Sequence, residues 1–420
     1  MSSELPARPG ESLLIVGAGA VGCAAALTFA RNGFRVTVVD PNEPGSGASF
    51  GNAGGIVPSA APLAQPGLPY SVPGMLLDPE GPLSIRPAQM IRALPWFLRF
   101  LAECGPERTE ANSIALYALS RQAPDAWQEL VRGTPAQDLV RETGWLKVYS
   151  TEQSFHEYSF ERDMLVRRDG PLEILNADEL RQLEPNLAPI FWGAIRQPDA
   201  LTIVNPGRMI RAVAEEAAAQ GAVFRQEFAQ DVDVAEDGRI ALSTDQTVHH
   251  PDRLMICQGA YSGPLASKLG ANAFLEAERG YHAMFETPEK NLGRTVFWVD
   301  QSMVLCPMED GVRMTTQSEF AGLNAPPDYR RLERQKKRAG EMLPGLNLNA
   351  KSRWMGRRPS TPDSLPYLGR APATPRAYLN FGHNHLGLTL SAISAKVALA
   401  DWMCDSLSAG LDMHAYRAQR

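Results

Sequence analysis

Near the end of the chain, His383 and His385 stand one residue apart in FGHNHLGLT, residues 381–389, inside a turn bounded by Gly382 and Gly387. Imidazoles so spaced could form a metal pair, supply a general base or wall a pocket. A zinc site takes three or four N, S or O ligands. The remaining histidines, at 156, 249, 250, 282 and 414, form no matching motif with these two, so no metal is expected. Neutral imidazole can accept a proton near pH 7, which keeps a base open. At the other end of the chain, Gly17, Gly19 and Gly22 form GxGxxG, and Asp40 follows at the distance where a carboxylate meets an adenosine ribose. The first glycine permits a tight turn, the second a close approach of backbone to pyrophosphate, and the third close packing of helix on strand.

These residues need particular elements to position them. Residues 13–16 read as a buried strand, an alanine-rich helix runs to about Arg31, Gly33 suits its cap, and RVTVVD is a second strand ending at Asp40. The unit predicts a dinucleotide on a helix N-terminus, and the acid disfavours a 2′-phosphate. The chain then enters PGSGASFGNAGGIVPS, a small-residue loop able to lay backbone amides against a large flat ligand. That departure from another helix and strand favours FAD over a nicotinamide.

Further on, residues 57–95 are proline-rich and are expected to be irregular, a functional excursion over a site. Residues 87–133 read as helical. GWLKVYS and FWGAIRQPDALTIV read as strands of another sheet. Asn205 and Pro206 open a helix that Gly221 stops. DRLMICQGAYSG reads as a buried strand and glycine turn that resume the dinucleotide domain, and EAERGYHAMFET, RTVFWVD and GVRMTTQSEF as sheet. PPDYRRLERQKKRAGEML reads as a charged surface helix, and residues 376–403 as strand, turn and helix. On the strand ERGYHAMF, Tyr281 and His282 must face opposite ways; Tyr281 is assigned to the pocket.

A chain of 420 residues, 44% hydrophobic and 21% charged with net charge −6, calls for more than one core and offers no basic stripe for nucleic acid. Five cysteines without a CxxC argue against a disulfide framework. The opening MSSELPARPGES has no secretory pattern, and no apolar run is long enough for an integral membrane segment, so a cytoplasmic location is expected.

Four segments together resemble the FAD-dependent amino-acid oxidoreductases of the D-amino-acid oxidase superfamily, most closely its bacterial D-amino-acid dehydrogenases: IVGAGAVGCAAALTFARNGFRVTVVD, GASFGNAGGIVPSAAPLAQPG, MGRRPSTPDSLPYLGR and LNFGHNHLGLTLSAISAKVALADWM. The likeness covers nearly the whole chain. The third segment is similar to a G-x-R-P-x-T-P-D-x-x-P signature and the fourth to G-H-x-x-L-G-x-T. The resemblance implies an α/β fold: a Rossmann-like FAD-binding domain, residues 10–60, 200–265 and 350–420, interleaved with an α+β substrate domain, residues 61–199 and 266–349.

It also implies roles. Gly17, Gly19, Ala20, Val21, Gly22 and Asp40 would hold adenosine and pyrophosphate; Ala48, Ser49, Asn52, Ala53, Gly54 and Gly55 would lie along pyrophosphate and ring. Gly259 would approach the cofactor, and Leu386, Gly387, Leu388 and Thr389 would offer it backbone contacts at the start of the last helix, whose dipole suits a ring gaining negative charge. Arg358 aligns with the arginine that binds the substrate carboxylate, with Arg357 its neighbour and Asp363 a competing structural partner. His385 is placed beside the substrate, and His383 is read as shaping the loop. Relatives with covalent flavin use a cysteine near the signature; none lies between Lys351 and Ala371, so the FAD is expected to be non-covalent.

The implied reaction is oxidation of a D-amino acid by hydride transfer from Cα, giving an imine that water hydrolyses. RRPSTPDSLP with GHNHLGLT is also similar to the hydroxyproline-oxidising branch, which admits D-proline or cis-4-hydroxy-D-proline. A glycine or sarcosine type of oxidase and a flavin-binding subunit active only with a partner are the alternatives. Oxygen, a quinone or a redox protein would take the electrons, and peripheral association with the inner membrane stays open.

Overall fold

In the computed structural model, which describes residues 6–78, 81–404 and 411–419, the strand Ser12–Val16 is buried at every position after Ser12. It lies at the middle of a six-stranded sheet because both its faces are covered. Arg35–Asp40 pairs with it in parallel on one side and Arg253–Ile256 on the other; Val223–Gln226 and Thr374–Phe381 extend the parallel run, and Tyr367–Ala371 closes one edge antiparallel. The helix Ala20–Arg31 packs its fully buried alanines 24–26 against the last helix, Gly387–Met403, itself buried at Ala395, Val397 and Ala398. Helices apolar on all sides belong in a core. The segment Asn384–Met403 is long and apolar enough to cross a membrane by composition, but 72% of its most apolar window is buried inside the protein.

The second sheet has nine strands. Its path runs Ser352–Ser360, Glu276–Phe285, Gly311–Phe320, Met303–Met308, Thr295–Trp298, Trp145–Tyr149, Gly193–Gln197 and Glu173–Asn176, with Leu83–Ile85 added in parallel to Gly311–Phe320. Thus Ser352–Ser360, within the stretch 350–420 whose other strands join the first sheet, hydrogen-bonds along its length to Glu276–Phe285. Asn205 caps the helix Pro206–Ala219 by accepting the Arg208 N–H at 3.0 Å, as its sequence indicates.

Residues 57–95 are not irregular throughout: Leu68–Leu77 is a helix despite Pro69 and Pro73, and Leu83–Ile85 is a strand. Pro69 sits in the first turn, where its missing N–H costs nothing. Pro73 lies inside the helix, which buries none of its residues and leaves Tyr70 89% exposed. The excursion nonetheless reaches the site, since Ser59, Pro62, Leu63 and Gln65 line the main cavity.

Candidate active site

The parallel strands Ser12–Val16, Arg35–Asp40, Arg253–Ile256 and Thr374–Phe381 all end toward one cavity of 1040 Å³, where an open α/β sheet places its ligands. Gly17 holds φ +109°, and a Cβ there would lie 2.6 Å from the Cys257 carbonyl oxygen. Gly22 packs so closely that its Cβ would lie 1.8 Å from the Gly17 oxygen. Gly19 faces the cavity with only Ser49 Oγ near. The Ser49 hydroxyl accepts the Ala20 N–H at 3.0 Å, and the first turn of that helix carries no acid. Asp40 accepts from Ala18 N at 2.8 Å and Asn42 N at 2.9 Å, which fixes its carboxylate at the cavity edge.

The small-residue loop is held from the second sheet. Arg313 Nη1 donates to the carbonyls of Phe50 at 3.1 Å and Asn52 at 2.6 Å, and burial lowers its pKa to about 10. His282 turns away from Tyr281 as alternation requires, meets Gly51 O at 3.2 Å and stacks on Trp354 at 5.2 Å. Trp354 fills the space a Cβ would take at Gly51, and Trp145 the space at Gly55. Thr389 Oγ1 donates to Gly55 O at 2.9 Å, joining the start of the last helix to this loop.

Arg358 stands in the cavity wall on the strand Ser352–Ser360. Its ion-pair partner is the buried Glu278 at 2.7 Å, and the same Nη1 donates to the Gln317 carbonyl at 3.1 Å. Gly280 makes room for the guanidinium, because a Cβ there would lie 2.2 Å from Nη2. Burial alone would raise the Glu278 pKa, but the charge of Arg358 and hydrogen bonds from Ser318 and Ser360 outweigh it and leave the pKa below the usual range. Asp363 accepts the Leu365 N–H, and Arg357 donates to Leu323 O.

His385 borders the cavity and presents surface to it, yet the enclosing protein desolvates its charged form and pulls the pKa down to about 4. His383 is 2% exposed and bonds Ser394 Oγ at 2.9 Å, with burial pulling its pKa to about 3. Between them, Asn384 adopts φ +52° and ties the turn to the signature segment through Thr361 N at 2.9 Å and Thr361 Oγ1 at 3.0 Å. Tyr281 lines the cavity as a wall, and its hydroxyl is committed to Glu319 at 2.5 Å and to the Asp328 N–H at 3.1 Å.

Of the residues singled out in the sequence, Gly17, Gly19, Ala20, Val21, Asp40, Ala48, Ser49, Asn52, Ala53, Gly55, Gly259, Tyr281, Arg358 and 385–389 all line this one cavity. Gly22 and Gly54 do not; each is packed against backbone, Gly54 with its Cβ position 2.2 Å from Ile203 O. Sequence reading missed Glu278, Gln317, Arg313, Trp145 and Trp354. Alternation places Glu278 on the face of Gly280, but only strand pairing brings Arg358 over both.

The histidines set an acid limit. His282 and His383 have folded pKa values near 3, below the ordinary ~6.5, so the unfolded chain binds more protons as pH falls and stability present above about 6.5 is lost on acidification. At pH 5 the loss is on the order of 2 kcal/mol for each. Thermal melts of the holoenzyme between pH 8 and 5 should show the fall, and His383→Gln should flatten it; an unchanged slope would contradict the assignment.

The cavity fits FAD. Among the described residues, the buried side-chain atoms Ser59 Oγ, Gln258 Oε1 and Asn380 Oδ1 have no hydrogen-bond partner, and all three residues line it. Gly259, at φ +57°, has nothing within 4 Å of its Cβ position. Residues 12–402 match the FAD dependent oxidoreductase family (DAO). The chain is 34% identical over 397 residues to a D-amino-acid oxidase of Bradyrhizobium diazoefficiens, covering 92% of this chain and 94% of that one. Its fold is similar to glycine oxidase from Geobacillus kaustophilus, with TM-score 0.77, 20% identity and coverage of 98% and 99%. It is also similar to L-proline dehydrogenase from P. horikoshii, with TM-score 0.75, 15% identity and coverage of 99% and 98%. The chain therefore belongs to the FAD-dependent oxidoreductase family, and FAD is its cofactor.

Proposed function

We propose that this FAD-dependent amino-acid oxidoreductase acts on D-amino acids, taking a CH–NH2 or CH–NH donor to the imine, which water hydrolyses to the 2-oxo acid and ammonia. The observation that carries the reading is Arg358, a guanidinium fixed in the cavity wall by Glu278 and the Gln317 carbonyl. Its further N–H donors suit a carboxylate, and a bidentate pair sets the orientation of Cα as well as affinity. Bound FAD supplies the acceptor for a hydride leaving Cα. His385 stands in the cavity wall where it would border the substrate; with desolvation pulling its pKa to about 4, it is a weak base near pH 7.

The parts divide as the sheets suggest, with 10–60, 200–265 and 350–420 serving FAD and 61–199 and 266–349 the substrate, the strand Ser352–Ser360 bridging them. The flavin is held without a covalent bond. A cyclic secondary amine such as D-proline or cis-4-hydroxy-D-proline fits the signature RRPSTPDSLP. Oxygen, a quinone or a redox protein is the acceptor. The enzyme is placed in the cytoplasm, with peripheral membrane contact available through exposed Tyr70, Leu77 and Ile91.

Product analysis tests the reading. Turnover with D-amino acids should release 2-oxo acid and ammonia, and D-proline a pyrroline carboxylate. Activity confined to glycine and sarcosine would favour the N-substituted glycine reading, and activity appearing only on adding a second protein would favour a subunit.

A further inference from the structure

The strands Glu276–Phe285 and Gly311–Phe320 pair regularly except at one place: Arg279 faces Glu319 and Tyr281 faces Thr316, so Gln317 and Ser318 stand opposite Gly280 alone. This is a β-bulge, a device that re-aims a side chain and is common beside active sites. Gln317 carries the irregularity at φ +75°, a conformation disfavoured for a side-chain-bearing residue, which persists only where its surroundings enforce it. The backbone carbonyl so displaced accepts from Arg358 Nη1 at 3.1 Å. Gln317 lines the main cavity and a smaller neighbouring pocket, is 7% exposed, and its side-chain amide nitrogen is buried with no partner among the described residues. The neighbouring Thr316 Oγ1, on the same cavity, is likewise unpartnered. The strained backbone holds Arg358 through its carbonyl, while the side-chain amide it carries finds no partner among the described residues.

We propose that Gln317 is a second recognition residue for the substrate carboxylate: its side-chain amide donates to one of the two oxygens that Arg358 holds. The inference rests on the amino-acid reading above and deepens it. Two donors of different charge on one carboxylate fix the tilt of Cα as well as its position, and they discriminate acids from their neutral derivatives, because an unpaired buried donor penalises the wrong ligand.

The test is anaerobic reduction of the holoenzyme by the best D-amino acid and by its carboxamide, in wild type, Gln317→Ala, Gln317→Glu and Gln317→Gly. Gln317→Ala should weaken the acid's apparent Kd about tenfold or more, the scale of a hydrogen bond to a charged group, with the limiting rate within about threefold. Gln317→Glu should weaken the acid further while leaving the carboxamide within about twofold, since only the acid repels the new charge. Gln317→Gly should lose the acid's affinity while melting no lower than wild type. Equal shifts for acid and carboxamide, unchanged Kd, or affinity lost only in step with melting temperature would overturn the proposal. Failure of every D-amino acid to reduce the wild type is a separate result that removes the amino-acid reading and this inference with it.

Discussion

Arg358→Met should abolish useful substrate binding while the protein keeps its flavin. Truncating one member of a buried, hydrogen-bonded charge pair costs about 2–5 kcal/mol, which is roughly 30-fold to several thousand-fold in Kd. The same change strands Glu278, a carboxylate 4% exposed whose charge Arg358 sustains. An uncompensated buried charge destabilises by about 3–5 kcal/mol, so the single variant should also melt early. The two effects separate in Arg358→Met/Glu278→Gln, which removes both charges: stability should return and substrate affinity should not. Recovery of affinity in the double variant would show that Arg358 serves only to neutralise Glu278. Titration of substrate against flavin absorbance, beside thermal melts, checks both.

Gly22→Val should yield apoprotein. A Cβ at this position would sit 1.8 Å from a backbone oxygen of Gly17, and backbone cannot rotate aside as a side chain does. Relief requires moving the helix Ala20–Arg31 away from the Gly17–Gly19 turn, which is also pinned because a Gly17 Cβ position lies 2.6 Å from Cys257 O. Overpacking of this kind costs about 1–3 kcal/mol or more, and here it falls at the pyrophosphate turn, so FAD affinity should drop by about fivefold to 150-fold or more. Gly74→Ala is the control, since its Cβ would meet nothing within 4 Å. Flavin-to-protein absorbance ratios after gel filtration read the result; full occupancy in Gly22→Val would contradict the assigned role.

Much of this frame is legible from the chain because its signals are local. The strand, glycine turn, helix and strand of residues 12–40 follow from contiguous patterning, as does the Asn205 cap. The HNH turn is legible as a turn, but its conformational keystone is the residue between the histidines, Asn384, whose left-handed backbone and side-chain bonds to Thr361 join two segments far apart in sequence. Nothing near Glu278 announces that it will hold Arg358, because that contact exists only after Ser352–Ser360 pairs with Glu276–Phe285. The bulge at Gln317 is equally silent: a residue type without left-handed preference is forced there where the pairing with Glu276–Phe285 shifts register. The helix Leu68–Leu77 ran against its own composition, since two prolines in ten residues read as a breaker, yet one falls in the first turn and the other on a surface helix.

We propose that the cavity oxidises a D-configured amino acid held by its carboxylate. Anaerobic mixing of the holoenzyme with the two enantiomers of alanine and of proline, followed by flavin absorbance, tests it most directly. One or both D-enantiomers should bleach the flavin, and neither L-enantiomer should at equal concentration. Bleaching by L-alanine or L-proline, with the D-forms inert, would contradict it.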